Sequence, residues 1–491
     1  MSAQDPSNQV PGFRKTRLGT SFSPWHDIHV TPANEAFNFD TLLLAGVESE
    51  GIHQYVDDDL EAVDDPSGES DLSSVPSSPF GGSDLSSTPP SPEPALQPLP
   101  ATDAPSTRLN KKARRNKKKG HSNRKHKRQE TKDGQAYGAY EVCPRVRHKF
   151  MRQSEPIDTP LIAHDVPVAS TGFIGQAGAF PKKEYVLDDL VGPASTFGIQ
   201  LVKWDGHSAI PIVDSAGRVI ALLAGHPDDA SWPKVAAEAA SKIESTRGRC
   251  WFPKKRRRHR RGRFAVLSFG VSFGGGQTRP CNLKNSKRNR KVLDELISHD
   301  AFKRLAGFGS AAFATWAPRL YAHYQETLGA LFERDPSLRP NFPSSIFPAA
   351  TINFGPRTIC YKHKDFANLP FGWCAITALG SFDPTHGGHL ILWDCHLVIE
   401  FLAGSTALIP SSVIAHSNTT VGEDEQRYSF TQYASGGLFR WVSHGFQKDG
   451  AFFSGLSSED IDAIREQNRT RWEEGLSLLP TLAEVKNDVV V

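Results

Sequence analysis

The stretch HLILWDCHLVIEFLAGSTALI, residues 389–409, contains three short apolar runs separated by turn residues. The runs are His389–Asp394, Leu397–Phe401 and Ser405–Ile409, and a fourth, Tyr428–Tyr433, follows further along the chain. Each run is too short for an ordinary helix and is rich in residues that favour strands. Short strands bounded by turns predict an all-β barrel or jelly roll in this part of the chain.

Other elements are predicted around this β region from the spacing of apolar residues. The predicted helices are Pro233–Glu244, Lys291–Leu305, Pro318–Arg334 and the polar segment Ser458–Leu478. The predicted additional strands are Phe264–Phe269 and a hairpin made of Ala209–Val213 and Arg218–Leu223. The fold class is therefore α+β, with a jelly-roll core and flanking helices.

The first part of the chain differs in composition from the rest. Residues 1–136 are rich in Ser, Pro, Gly and charged residues, so they cannot bury enough apolar surface to offset the entropy of ordering. We expect this region to be disordered. Acids prevail up to Ala104, whereas Arg108–Arg128 (RLNKKARRNKKKGHSNRKHKR) holds many Lys and Arg and no acid. Such a block favours polyanions or nuclear import receptors as partners, and a solvated charged linker is the other interpretation.

Two basic runs are candidates for nucleic-acid contact or targeting, the second being Lys254–Arg261 (KKRRRHRR). The candidate residues are Lys111, Lys112, Arg114, Arg115, Lys117, Lys118, Lys119, Lys254, Lys255, Arg256, Arg257 and Arg258. The second run adjoins the predicted β domain, so it can supply phosphate contacts there. An exposed, disordered loop is the other interpretation of this run.

Several classes of protein are disfavoured by the sequence. The chain has no apolar run of the length that a transmembrane helix needs, so no membrane association is expected. Its first residues, Met1–Pro6, lack the pattern of a secretory signal. The six cysteines are scattered without a CxxC pair, which argues against a zinc ribbon and a secreted disulfide scaffold. We expect a soluble, intracellular protein with reduced thiols.

A candidate metal site stands out in the β region. His363 and Asp365 are two residues apart, so in a strand both side chains point to one face, and His416 can come from a later strand. Two imidazoles and one carboxylate form the facial triad of non-haem Fe(II) oxygenases, which leaves positions open for a co-substrate and O2. The three residues are therefore predicted to bind Fe(II).

Arg427 and Ser429 follow the second histidine in strand-like sequence. The guanidinium of Arg427 offers a planar pair of donors that matches a carboxylate, and it tolerates burial better than a lysine does. Ser429 lies two residues on and faces the same way in a strand, where it can give a second hydrogen bond. Both are predicted to hold the far carboxylate of 2-oxoglutarate.

These residues resemble a known family. Residues 353–442, and more loosely 186–442, resemble the Tet-like 2-oxoglutarate/Fe(II) dioxygenases of the TET/JBP group, particularly the fungal members. The matching stretches are His363-Lys364-Asp365-Phe366-Ala367-Asn368, Gly387-Gly388-His389-Leu390, Pro410-Ser411-Ser412 with His416, and Arg427-Tyr428-Ser429. The resemblance implies a double-stranded β-helix with Fe(II), 2-oxoglutarate and O2 as the reaction partners.

The resemblance also implies a substrate. It implies oxidation of a methylated pyrimidine base, either 5-methylcytosine or thymine, with Asn368 in contact with the base. A base inside a duplex has to be flipped out, and aromatic side chains usually receive it by stacking. Phe366, Phe371 and Trp373 follow the metal segment and are candidates for this role, although packing in the core is an equal alternative.

The sequence thus predicts four segments and one principal function. The segments are a disordered tail (1–136), an extension with hairpin, helix and basic run (137–262), the dioxygenase domain (263–447) and a C-terminal helix and tail (448–491). The expected function is a nuclear dioxygenase that acts on DNA, with import receptors as a further partner. A hydroxylase of RNA or of protein side chains, and an inactive nucleic-acid-binding barrel, remain the alternatives.

Overall fold

The structure is a computed structural model that describes residues 14–15, 21–22, 137–140, 142, 151 and 154–486. The chain divides into two compact units, residues 1–55 and 56–491. In the first unit, strand β1 (Arg14–Lys15) pairs antiparallel with β2 (Ser21–Phe22). The other residues of the predicted tail lie outside the described part, and the prediction of disorder for 1–136 stays untested.

The second unit is a mixed α+β structure. Its strands are, in chain order, β3 (Ile157–Asp158), β4 (Gln200–Val202), β5 (Ile210–Val213), β6 (Val219–Gly225), β7 (Val266–Ser272), β8 (Cys281–Asn282), β9 (Ala349–Asn353), β10 (Cys374–Ser381), β11 (Leu390–Leu392), β12 (Leu397–Ile399), β13 (Thr406–Ile409), β14 (His416–Asn418) and β15 (Gln426–Tyr433). The strands predicted from the sequence are present, with ends that differ by a few residues.

Two sheets position the site. The larger sheet has the order β3-β5-β6-β13-β10-β15-β9-β7-β8, and the smaller one has the order β14-β11-β12-β4. From β9 onward the chain passes repeatedly between the sheets, because β10, β13 and β15 belong to the larger and β11, β12 and β14 to the smaller. An isolated antiparallel bridge between His363 and His416 adds one more segment beside β14.

The predicted hairpin is confirmed as β5 and β6, which pair antiparallel. Its turn is closed by the carboxylate of Asp214, which accepts hydrogen bonds from the backbone N–H groups of Ala216 (3.0 Å) and Arg218 (2.8 Å). Gly217 has a φ of +74°, a conformation that suits glycine. The hairpin then joins the larger sheet, where β6 pairs with β13.

The helices lie around these sheets. Their bounds are α1 (Leu187–Leu190), α2 (Trp232–Arg247), α3 (Lys254–Arg257), α4 (Lys287–Ser298), α5 (Asp300–Trp316), α6 (Pro318–Arg334), α7 (Gly436–Ser443), α8 (Asp449–Ser454), α9 (Ser458–Ser477) and α10 (Leu482–Lys486), with a 3₁₀ turn at Ala163–Asp165. Helices α2 and α5 pack on β10. On α2, the buried Val235, Ala239 and Ile243 recur every fourth residue, which gives the helix one apolar face. None of the described helices has the length and apolar character that crossing a membrane requires.

The prediction of one helix over Lys291–Leu305 is wrong. The chain forms α4 and α5 instead, with His299 between them in an extended conformation (φ −74°, ψ 135°). The ring of His299 caps α5 by accepting a hydrogen bond from the N–H of Ala301 (3.2 Å). The apolar spacing continues through the break, so the periodicity alone does not indicate that one helix ends and another begins at His299.

Strands from both sides of the predicted boundary at 262/263 pair with one another. In the smaller sheet β4 pairs with β12, and in the larger sheet β6 pairs with β13. The basic run Lys254–Arg261 does not form a loop throughout, because its first part is the short helix α3. The boundaries at 136, 262 and 447 stay predictions.

Candidate metal centre and its pocket

A backbone pairing brings the two predicted histidine ligands together. The N–H of His363 donates to the carbonyl of His416 (3.0 Å), and the N–H of His416 donates to the carbonyl of His363 (2.9 Å). Residues that exchange both bonds stand directly opposite each other, so their side chains emerge side by side. The centroids of the two imidazole rings are 4.3 Å apart.

Asp365 completes the group. One carboxylate oxygen is 3.8 Å from Nε2 of His363, and the other is 3.8 Å from Nε2 of His416. The potential ligand atoms of the three residues all lie within 4.8 Å of one another. The N–H of Asp365 donates to the carbonyl of Ser411 (2.8 Å), which ties this residue to the segment before β14. The structure thus gathers the three residues whose spacing predicts the triad.

The donor set suits a divalent transition metal. Nδ1 of His363 lies 2.7 Å from the carbonyl of Tyr361, and Nδ1 of His416 lies 3.0 Å from the carbonyl of Ile414. A carbonyl oxygen only accepts, so each Nδ1 carries the proton and each Nε2 keeps its lone pair towards Asp365. Two imidazoles and one carboxylate then leave coordination positions for other ligands.

Two arginines, Arg260 and Arg261, lie beside the Asp365 carboxylate, at 3.5 and 3.4 Å from the same oxygen. Burial alone would raise the pKa of Asp365, but the electrostatic interactions with Arg261, His363, His416 and Arg260 lower it well below its usual value. The carboxylate is therefore ionised at neutral pH. Burial, and then the electrostatic interaction with His416, holds the pKa of His363 well below its normal value. Burial also lowers the pKa of His416.

Arg427 is buried on β15, where its guanidinium has one hydrogen-bond partner among the described residues. Its Nη1 donates to the carbonyl of Thr358 (3.3 Å), whereas its buried Nε has no partner within the described structure. None of the described acidic residues forms an ion pair with it. Burial lowers the pKa of Arg427 to about 10, so the group stays charged at neutral pH. Beside it, Ser429 accepts a hydrogen bond from the side-chain amide of Asn353 (2.7 Å).

One cavity connects these groups. It has a volume of about 110 Å³, well above the roughly 10–15 Å³ that one water requires. The triad, Arg427, Ser429 and Asn368 all line it, together with residues of both sheets. A ligand in this cavity can therefore contact the triad at one end and the guanidinium at the other.

A glycine makes room for the guanidinium. Gly388 has a φ of +72°, and a Cβ there would lie 3.1 Å from Nε of Arg427 and 2.8 Å from the ring of Phe382. Gly388 is therefore explained by close approach of the backbone to Arg427, whereas a Cβ at Gly387 would lie 2.3 Å from the carbonyl oxygen of Thr420.

His389 is a buried residue near Arg427 that does not itself line the cavity, and the sequence does not distinguish it from His386 and His396. It is fully buried, its Nδ1 lies 2.8 Å from the hydroxyl of Thr419, and its Nε2 has no hydrogen-bond partner in the described structure. Burial lowers its pKa to about 4, with a further contribution from the charge of Arg427. The ring is thus a neutral neighbour of the guanidinium. The Gly-Gly-His sequence is the signal that could have marked it.

The predicted base-contacting residues occupy different environments. Asn368 lines the cavity, and its side-chain nitrogen contacts Ser411 Oγ (3.2 Å) and Cys374 Sγ (3.3 Å). Phe366 does not line the cavity, but it is half-buried, with the guanidinium of Arg260 over its ring at 5.4 Å from the centroid. These two residues stay candidates for substrate contact.

The prediction that Trp373 stacks on a base is wrong. Its side chain is fully buried in the core, its indole N–H donates to the carbonyl of Ile220 (2.8 Å), and its ring packs on Phe313. Phe371 is likewise buried, beside His323. Neither residue lines the cavity, so the alternative of core packing applies to both.

The second basic run comes close to the metal centre at its end. Lys254, Arg257 and Arg258 are exposed, Lys255 is half-buried and Arg256 is buried. Beyond them, Arg260 Nη1 donates to the carbonyl of Lys364 (2.9 Å) as well as reaching Asp365. The candidates of the first run, from Lys111 to Lys119, lie outside the described residues.

Comparisons with solved structures include two distant structural likenesses. No family model and no curated protein matches the chain. A solved structure of NgTET1 in complex with 5mC DNA is 16% identical over 50% of this chain and 85% of that chain, with a TM-score of 0.36. A 2OG-Fe(II) oxygenase family oxidoreductase from Burkholderia pseudomallei is 20% identical over 35% of this chain and 67% of that chain, with a TM-score of 0.21. At these scores neither likeness assigns a fold or an activity to the chain.

Proposed function

We propose that this protein is an Fe(II)- and 2-oxoglutarate-dependent dioxygenase. The observation that carries the proposal is a single cavity with a His-Asp-His group and a buried arginine, Arg427, that lacks an acidic partner among the described residues. A buried charge without a partner is costly in free energy, so its retention favours a role in binding an anion. A dicarboxylate that reaches from the metal to Arg427 supplies that anion.

The strand order supports the same proposal. In the larger sheet β9, β15, β10 and β13 are neighbours in that order, and in the smaller sheet the His363 segment, β14, β11 and β12 are neighbours. The chain thus crosses repeatedly between two sheets, as in a jelly roll or double-stranded β-helix. The two metal histidines then lie in or beside the smaller sheet and the guanidinium comes from the larger one, and all of them line the same cavity.

Each part has a definite task in this proposal. His363, Asp365 and His416 would hold Fe(II), which with bound 2-oxoglutarate and O2 supplies the oxidising chemistry. Arg427 and Ser429 bind the distal carboxylate and so orient the co-substrate. The apolar cavity walls, Leu390, Phe401 and Ile376 among them, restrict water around the reacting groups.

We further propose a methylated pyrimidine base in DNA as the substrate, with 5-methylcytosine preferred over thymine. In the described structure no group donates a hydrogen bond to Oδ1 of Asn368, whose side-chain nitrogen is occupied by Ser411 and Cys374. A free acceptor suits the exocyclic amino group of a cytosine better than the O4 acceptor of a thymine. The cations of the Lys254–Arg261 run supply phosphate contacts. Nuclear localisation through Arg108–Arg128 and import receptors is part of the same proposal.

The proposal is tested with the full-length protein, Fe(II), 2-oxoglutarate and air. Separate reactions contain 5-methylcytosine DNA, unmethylated DNA, methylated RNA and a histone-tail peptide, and mass spectrometry measures oxidised nucleosides, oxidised peptide and succinate. We expect oxidised 5-methylcytosine and coupled succinate, both absent in His363→Ala. Oxidation confined to RNA or peptide would move the substrate to the alternative class. Absence of succinate in every reaction, with iron bound, would favour the inactive barrel.

A further inference from the structure

A second cleft lies on the far side of the basic run. It has a volume of about 660 Å³, lies between the start of α4 and the segment that leads into α3, and shares no lining residue with the metal-site cavity. All charged residues that line it are basic, namely Arg256, Lys284, Lys287, Arg288 and Arg290. A cleft with cations on its walls and no acid attracts an anionic ligand.

The cations at its rim are available to a ligand. Lys284, Lys287 and Arg290 are exposed, and none of the three forms an ion pair within the described part of the chain. Lys287 and Arg290 lie in the first turn of α4, which contains no acidic residue. Cations at this end of a helix are disfavoured by the helix dipole and repel one another. Binding of a polyanion relieves both effects.

An aromatic ring completes the cleft. Trp251 lines it with 42% of its surface exposed. Its backbone is held by the buried Asn289, whose Oδ1 accepts from the Trp251 N–H (2.8 Å) and whose Nδ2 donates to the Trp251 carbonyl (2.8 Å). The backbone that carries the indole is therefore anchored beside the cations. An exposed aromatic side chain next to a basic groove is the arrangement on which unpaired bases stack.

We propose that this cleft binds an unpaired nucleic-acid strand, with phosphates on Lys284, Lys287 and Arg290 and a base stacked on Trp251. An acidic peptide would satisfy the cations but would offer no flat ring to the indole, which favours the nucleic acid. From the cleft the chain continues through α3 to Arg260 beside Asp365, so the bound strand lies next to the segment that reaches the metal centre. This binding goes beyond the proposed oxidation, because it requires neither metal nor co-substrate.

The test compares full-length variants that lose equal charge. The cleft variant is Lys284→Ala/Lys287→Ala/Arg290→Ala, and the control is Lys234→Ala/Lys448→Ala/Arg469→Ala, which removes exposed cations elsewhere. Fluorescence anisotropy with single-stranded DNA and RNA measures affinity against salt concentration. The cleft variant should bind on the order of tenfold more weakly and lower the salt slope by about 2, since each phosphate contact adds roughly 0.7 for a single strand. The control should change little.

A local readout separates the cleft from the basic block Arg108–Arg128, which all variants retain. Ultraviolet crosslinking of a 5-bromouracil strand, followed by peptide mass spectrometry, should yield a crosslink at Trp251 that Trp251→Ala abolishes. Trp251→Phe should keep most of the affinity, whereas Trp251→Ala should lose on the order of tenfold. Preference for DNA or for RNA would identify the source of the strand.

Three results would overturn the proposal. They are equal loss of affinity in the cleft variant and its control, crosslinks that map only elsewhere, and full competition by polyglutamate with no effect of Trp251→Ala. The last result would assign the cleft to an acidic peptide. His363→Ala should bind the strand like the wild type, so a failed oxidation assay and a failed binding assay are distinguishable.

Discussion

The guanidinium of Arg427 lies over the ring of Phe382, with 5.7 Å between its central carbon and the ring centroid. The ring shields one face of the cation, and the backbone of Gly388 approaches it closely. The buried Nε of Arg427 has no hydrogen-bond partner in the described structure. The guanidinium shares a cavity with the triad. The geometry selects a ligand with a carboxylate, because a planar anion matches the planar donors.

Replacing Arg427 tests this match. In Arg427→Lys the charge is kept but the paired donors are lost. The KM for 2-oxoglutarate should therefore rise by about 30-fold or more, which corresponds to a loss of roughly 2 kcal/mol or more of binding free energy. Succinate formation at varied 2-oxoglutarate measures the effect. Arg357→Lys, at an exposed position whose backbone bridges to Arg427, serves as the control. An unchanged KM in Arg427→Lys would place the co-substrate carboxylate elsewhere.

The pairing of Arg261 with Asp365 leads to a prediction about metal binding. In the metal-free protein Arg261→Met removes one of the two cations beside the half-buried carboxylate of Asp365. It should lower the free energy of unfolding by about 1–2 kcal/mol, less than for a fully buried pair because Arg260 remains. A bound divalent cation replaces the lost charge. The rise in melting temperature on addition of Mn(II) should therefore be larger in the variant than in the wild type.

The opposite result has a distinct meaning. A smaller rise in Arg261→Met would show that the arginine orients the carboxylate for the metal more than it competes with it. Arg263→Met, at a nearby exposed position, is the matched control and should leave both melting temperatures unchanged.

Much of the site was predictable because its signals are local. The spacing of His363 and Asp365 and the position of His416 in a later strand are visible in the sequence, and the structure places these residues within a few ångströms. The interior positions of β15 follow from the alternation of a strand, so Arg427 and Ser429 share a face and line one cavity. Short strands and turns likewise indicated the β architecture.

Other features depend on contacts that no local pattern contains. Arg261 reaches Asp365 across more than a hundred positions of sequence, and the cleft beside Trp251 needs α4 to pack next to the segment before α3. Trp373 follows the metal segment, but its side chain is buried in the core. It immediately precedes β10, which begins at Cys374, and the pairing of that strand determines which of its residues face the cavity. The break at His299 depends on a capping contact rather than on periodicity.

The buried histidines predict a pH dependence for the metal-free protein. Burial lowers the pKa values of His363 and His416 in the folded state and that of His389 to about 4. The three imidazoles take up protons near pH 6.5 in the unfolded chain but not in the folded chain. The free energy of unfolding therefore falls as the pH drops below about 6.5, by up to about 1.4 kcal/mol per pH unit for each imidazole. Asp365 has a lowered pKa, so its contribution is lost only below about pH 4.

Melting temperatures in chelator measure this effect. The decline between about pH 6.5 and 5 should be clear in the wild type and shallower in His363→Gln/His416→Gln, which cannot take up the two protons in either state. Equal slopes in the two proteins would show that other histidines dominate the titration. Addition of Mn(II) should steepen the wild-type decline, because the metal requires neutral imidazoles.

Asn368 combines two roles in one short segment. Its N–H donates to the carbonyl of Asp365 (2.9 Å), and its own carbonyl accepts from the hydroxyl of Ser412 (2.8 Å), so the backbone forms a turn beside the metal site. Its side-chain nitrogen contacts Ser411 and Cys374, both buried. The side-chain oxygen is the atom left for a substrate.

Asn368→Ala should therefore change two measurements by separable amounts. Loss of the contacts to Ser411 and Cys374 should lower the free energy of unfolding by about 1–2 kcal/mol, because buried donors and acceptors lose partners. Loss of the base contact should reduce coupled oxidation of 5-methylcytosine DNA by a further 1–3 kcal/mol in transition-state binding, roughly 5- to 150-fold. Uncoupled succinate formation should persist, since the triad and Arg427 are untouched.

Ser411→Ala removes the structural contact alone and should lower only the melting temperature. Parallel loss of coupled and uncoupled rates in Asn368→Ala would make this residue structural and would remove the support that it gives to a nucleobase substrate.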